Sequence, residues 1–129
     1  MAKNFAYDPD SKTFFLKRSG DIIPGMLHEG IRRLLEFPQI NEAKNLVSDF
    51  QDADLSIISS FEVRMHAKFC NEKLSHLNMV MVAPKDLMFG LGRMFQTFSK
   101  SSNVKIVRSI SEALEYLGLK EMPEIIEIE

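Results

Sequence analysis

Short apolar runs alternate with longer amphipathic stretches along this chain, and that rhythm predicts its elements. Residues 4–7 and 13–18 read as two strands joined by the turn-rich DPDSK, with Gly20 ending the hairpin. Phe14 and Leu16 point to one side of the second strand and Phe15 to the other, so either side fits the core. Pro24 suits the first turn of a helix running to about Phe37, with Leu27, Ile31, Leu34 and Leu35 on one face and Pro38 as its stop. A strand over 44–50 and the loop QDADLSIIS lead to a helix that starts at Ser59 or Ser60 and runs to about Leu74. Residues 79–83 form an apolar run too short for a buried helix, followed by a Pro84-Lys85 turn and a helix that Asp86 can cap. The last pair is a strand over 104–107 and a helix capped by Ser109 or Ser111, buried through Ile110, Ala113, Leu114 and Leu117 and ended by Gly118. Strands alternating with helices predict an α/β fold: a mainly parallel sheet, an antiparallel N-terminal hairpin at its edge, and about four helices. No repeat or linker interrupts it, so 1–129 is one domain. The tail EMPEIIEIE alternates acids and aliphatics, as an edge strand, an extended segment on a partner or a frayed end would.

Two helices are more apolar than one sheet face needs. The helix from Ser60 carries Val63, Ala67, Cys70 and Leu74 on one stripe and Phe61, Met65 and Phe69 on another. In the helix from Asp86, Leu87, Leu91, Met94 and Phe98 form a stripe that Met88 and Phe95 widen, while Phe89 points away. Gly90 and Gly92 each cost this helix about 1 kcal/mol relative to Ala, which suggests close packing or movement. The surplus has three outlets. It packs helix on helix, it is buried in a protein partner or homodimer, or the 86–99 helix is a mobile lid over an apolar small ligand or against a membrane surface. The candidate surface comprises Leu87, Met88, Phe89, Leu91, Phe95, Phe61, Met65 and Phe69.

Composition narrows the partners. The 129 residues carry a net charge of −2, which leaves no general basic field for nucleic acid. A single cysteine, Cys70, excludes an internal disulfide and fits a reducing compartment. No apolar run reaches the roughly 18 residues of a membrane span, and MAKNFAYDPD lacks the apolar centre of a signal peptide. The expected place is the cytoplasm, or the periphery of a membrane. Eight Met and ten Phe, with no Trp, favour an adaptable core or binding face.

Candidate chemistry is sparse. In parallel sheets ligands gather at the carboxyl ends of the strands, where this chain places Ser59, Ser60, Lys85 and Arg108, a set suited to an anion. His66 and Cys70 stand four apart on a helix, but no third ligand has metal spacing, so neither metal nor cofactor is expected. FGLGRM lies inside a helix and is no dinucleotide fingerprint; the pairs Asp52/Asp54 and Asp8/Asp10 lie in turns. An enzyme is not expected.

The stretch A-P-x-D-L-x-F-G-L-x-R-M-F from Ala83 to Phe95, followed by VKIVRSISEALEYL and preceded by LVSDF and G-D-I-I-P, resembles the SpoIIAA-like family of small bacterial proteins. The resemblance covers nearly the whole chain. It implies a fold like that of the STAS domain of anti-sigma-factor antagonists and, more distantly, the CRAL-TRIO lipid-transfer fold. The function implied is a non-enzymatic regulatory or interaction module, with a small apolar-ligand carrier as the alternative. It also implies phosphorylation at Ser59 or Ser60, although the setting here is Ile58-Ser59-Ser60-Phe61 in place of Asp-Ser-Ser-Gly.

Overall fold

Consecutive residues, not alternate ones, are buried along the strands, so both faces of the sheet must be covered. A computed structural model of the chain describes residues 4–99 and 103–121. It contains β1 (Phe5–Asp8), β2 (Thr13–Asp21), α1 (Met26–Leu35), a 3-10 turn (Pro38–Asn41), β3 (Asn45–Asp54), α2 (Ser60–Lys73), β4 (Asn78–Val82), α3 (Asp86–Phe98), β5 (Val104–Val107) and α4 (Ile110–Leu117). The sheet order is β1-β2-β3-β4-β5; β1 and β2 are antiparallel and every other pair is parallel. This is the α/β arrangement that the sequence predicts.

The two faces are unequal. Phe14, Leu16, Leu46, Phe50, Met79, Met81, Val104 and Ile106 join one core with Leu27, Ile31 and Leu34 of α1, Val63, Ala67 and Cys70 of α2, and Met88 and Phe95 of α3. Phe15, Val47, Val80, Val82 and Val107 form a smaller core with Ala113 of α4, against which Ile110, Leu114 and Leu117 pack part-buried. Phe14 and Phe15 are therefore both core residues, each on its own face, and burying such a side chain stabilises the fold by about 1.5–3 kcal/mol.

Several boundaries differ from the sequence reading. Gly20 does not end the hairpin: with φ 73 it continues β2 to Asp21, past a register shift between Lys17 and Ser19. β3 likewise runs on to Asp54. α1 starts only after Gly25, whose φ of 92 only glycine adopts readily, so Pro24 lies before the helix. Ser59 and Ser109 cap α2 and α4, their hydroxyls accepting from the N–H of Glu62 and Glu112. Asp86 is not a cap. It is the first residue of α3, and its carboxylate accepts from Arg108 at 2.9 Å.

The seam of α3 also differs. Met88, Gly92 and Phe95 are its buried residues, while Leu87 is exposed and Leu91, Met94 and Phe98 are half-buried. A Cβ on Gly92 would lie 3.1 Å from Ile106 Cγ2. The glycine marks where α3 comes closest to β5, and this rotates the helix by about one residue from the greasiest stripe. Most of the tail, including its candidate strand, lies outside the described residues.

Candidate functional site

Parallel strands place the connections after β2, β3 and β4 at one end of the sheet. Among the described residues, the large exposed hydrophobics gather there: Ile23 (51%) and Met26 before and at the start of α1, Ile57 in the loop after β3, Phe61 (68%) and Met65 on the first turns of α2, and Leu87 (53%) on the first turn of α3. Tyr116, on α4, is the exception. A groove of about 410 Å³ opens between the start of α1 and α2, walled by Pro24, Gly25, His28, Phe61 and Met65. Six apolar side chains held in water on three connections are a surface prepared to be covered.

The candidate surface residues divide between this rim and the interior. Phe61, Met65 and Leu87 belong to the rim. Phe69 is half-buried, its ring 4.8 Å from His28 and 5.9 Å from the Arg32 guanidinium carbon. Phe89 is half-buried beneath Arg108, whose guanidinium carbon is 4.0 Å from the ring centre. Met88, Leu91 and Phe95 instead line an apolar cavity of about 40 Å³, together with Phe50, Met81, Val63 and His66. Met88 and Phe95 are both buried, so neither is surface in this conformation.

His66 is the polar member of that wall and a residue the stripe reading passed over. It is 4% exposed, and its Nδ1 has no hydrogen-bond partner. Its Nε2 lies 3.7 Å from Cys70 Sγ. Burial, assisted by Arg18 and His28, pulls its pKa down to about 3, while burial pushes the Cys70 thiol up to about 12. Both groups are neutral near pH 7, so the pair holds no thiolate to act as a nucleophile.

Arg18 is a residue that the sequence pattern does not single out. Its place in β2 points it under α1, where Nη1 and Nη2 donate to the carbonyls of Met26 and Leu27 at 3.1 Å each. Nε is buried without a partner, and burial lowers the pKa to about 10, leaving the group charged at neutral pH. The guanidinium lies against the backbone of Gly30, in space that a Cβ there would occupy. An arginine next to a lysine at the polar end of a strand gives no sign of burial; the nearest sequence clue is a glycine in the middle of an otherwise good helix.

The anion set is dispersed. Ser59 is occupied as a cap, and Arg108 is held by Asp86 and by the Pro84 carbonyl at 3.0 Å. Lys85 and Ser60 are exposed at the starts of different helices. Carboxylates surround them: Asp21 and Asp54 are opposite one another in register, Asp52 is two residues back, and Glu62 lies in the first turn of α2. The Ser56 N–H bond holds Asp54 below the usual carboxylate range. Among the described residues no cluster of three or more metal-ligating side chains occurs, and no helix is long and apolar enough to cross a membrane.

No family model and no curated protein matches the chain. Among solved structures, it is similar to an uncharacterised protein of the DUF3478 family with a SpoIIAA-like fold from Shewanella loihica PV-4. The identity is 16%, the match covers 90% of this chain and 92% of that one, and the TM-score is 0.59. The fold is thus SpoIIAA-like, in agreement with the resemblance carried by Ala83 to Phe95.

Proposed function

We propose that this protein is a non-enzymatic interaction module whose apolar rim docks a protein partner. The observation that carries this reading is the gathering of Ile23, Met26, Ile57, Phe61, Met65 and Leu87 on one end of the sheet. Truncating a central apolar anchor of a protein interface costs 2 kcal/mol or more, whereas scattered exposed hydrophobics cost almost nothing. The neutral His66–Cys70 pair and the dispersed anion set support binding over catalysis. A photo-crosslinking residue in place of Phe61 should give one discrete adduct in the native cell, and the same residue in place of Tyr116 none. Equal labelling from both positions would sink the reading.

A second reading, a carrier of a small apolar ligand with α3 as its lid, is supported by the cavity under α3 and the unpartnered His66 Nδ1 in its wall. At about 40 Å³ the cavity has room for about three waters and none for an aliphatic chain unless α3 lifts. That requirement ranks it second. A bound apolar mass in native mass spectrometry of the purified protein would reverse the order.

A further inference from the structure

Three occupants could cover the rim: a membrane, a second copy of this chain, or another protein. The charges around it choose among them. Lys17 is tied to Asp52 at 3.1 Å and Arg108 to Asp86 at 2.9 Å. Among the described residues no cation forms an ion pair with Asp21, Asp54 or Glu62, and Lys85 is the remaining cation near them. Among the described residues, the apolar rim is thus flanked by carboxylates that outnumber the one unpaired cation beside them, Lys85. An anionic lipid surface would be repelled by it, and a second copy would set the same carboxylates against themselves.

We propose that the rim receives a cationic amphipathic helix of a partner protein. Its apolar side chains enter the groove between α1 and α2, beside Phe61 and Met65, and its lysines or arginines meet Asp21, Asp54 and Glu62. This inference rests on the docking role proposed above and adds the partner's chemistry. A helix laid in a groove reads it through apolar residues spaced three and four apart, and about 410 Å³ accommodates two or three such side chains. The open carboxylates steer the approach within a Debye length of about 8 Å at physiological salt.

The test uses the full chain and two designed peptides of about 16 residues, one built from Leu and Lys, the other identical with Glu for Lys. Fluorescence anisotropy should show the Lys peptide binding at least about tenfold tighter, with the advantage shrinking as salt rises. Phe61→Asp should weaken its binding by about 30-fold. The double change Asp21→Asn with Asp54→Asn should weaken it by about tenfold, while Asp10→Asn, on the far hairpin turn, leaves it unchanged. Equal binding of both peptides that is lost in Phe61→Asp would overturn the charge preference and leave the docking rim standing. Binding of neither peptide would overturn both. Flotation of the protein with phosphatidylglycerol vesicles, again lost in Phe61→Asp, would overturn the protein partner in favour of lipid.

Discussion

The two ends of the sheet are built to opposite rules. At the amino ends of the strands, polar side chains are satisfied across the chain. Asn78 Nδ2 donates to Asn45 Oδ1 at 3.2 Å, and Asn45 Nδ2 donates to Thr13 Oγ1 at 3.0 Å, linking β4, β3 and β2. His76 Nε2 meets the Ile40 carbonyl at 3.0 Å, and the Asn78 N–H donates to the Lys44 carbonyl. At the carboxyl ends, large hydrophobics lie in water near Asp21, Asp54 and Glu62, which form no ion pair among the described residues. Chain that only had to fold would treat both ends alike. One end therefore serves stability, and the other leaves stability unclaimed for the sake of a surface.

This contrast predicts a double dissociation. Phe61→Asp or Leu87→Asp should weaken binding of the cationic peptide by about 30-fold, equivalent to about 2 kcal/mol, with stability changed by no more than about 0.5 kcal/mol. Asn45→Ala should do the reverse, lowering stability by about 1–2 kcal/mol through two lost hydrogen bonds and leaving peptide affinity alone. Urea unfolding and anisotropy on the same samples separate the two. Rim variants that unfold easily would show that the exposed hydrophobics are structural after all.

The boundary between the ends is His66, beneath the rim and inside the core. Its folded pKa of about 3 lies below the 6.5 of the unfolded chain. The unfolded chain therefore takes up a proton that the folded one refuses. The stability due to neutral His66 is complete above 6.5 and is lost as pH falls towards 3, at up to about 1.4 kcal/mol per pH unit. His28 is displaced in the same direction, chiefly by burial, and adds to the trend. His66→Leu should flatten the loss of stability between about pH 7 and about pH 5 and remove a buried group that lacks a partner. An unchanged pH slope in that variant would mean that other groups govern the acid limb.

What could be read from sequence follows from what each pattern records. Element order, the parallel sheet and the presence of serine caps, narrowed to Ser59 or Ser60 and to Ser109 or Ser111, depend on local spacing and chemistry, so they were legible; the structure selects Ser59 and Ser109. The seam of α3 was not, because its closest approach is made by Gly92, which has no side chain to count. Ile23 and Ile57 escaped notice because they lie in connections, where helical periodicity says nothing about direction. Arg18 and His66 were illegible for a related reason: burial of a polar side chain is decided by tertiary neighbours, here Gly30 and α3. Phe61 and Met65 were visible as a second stripe on α2, and only the assembled fold shows which stripe stays in water.

The finest prediction concerns the register that sets Asp21 beside Asp54 on neighbouring strands. Like charges opposite one another in a sheet are destabilising, by roughly 0.2–1 kcal/mol at most and less where water screens them. Among the described residues neither carboxylate forms an ion pair, and Lys85 acts on Asp54 only at longer range. Asp21→Asn should therefore raise stability slightly in the same protein whose affinity for the cationic peptide it lowers. Opposite signs from one substitution are the mark of a residue kept for a partner and not for the fold. The effect should fade in high salt, because the repulsion is screened there. A loss of stability instead would place Asp21 with the polar network of the other end, and the contrast between the two ends would narrow to the apolar rim alone.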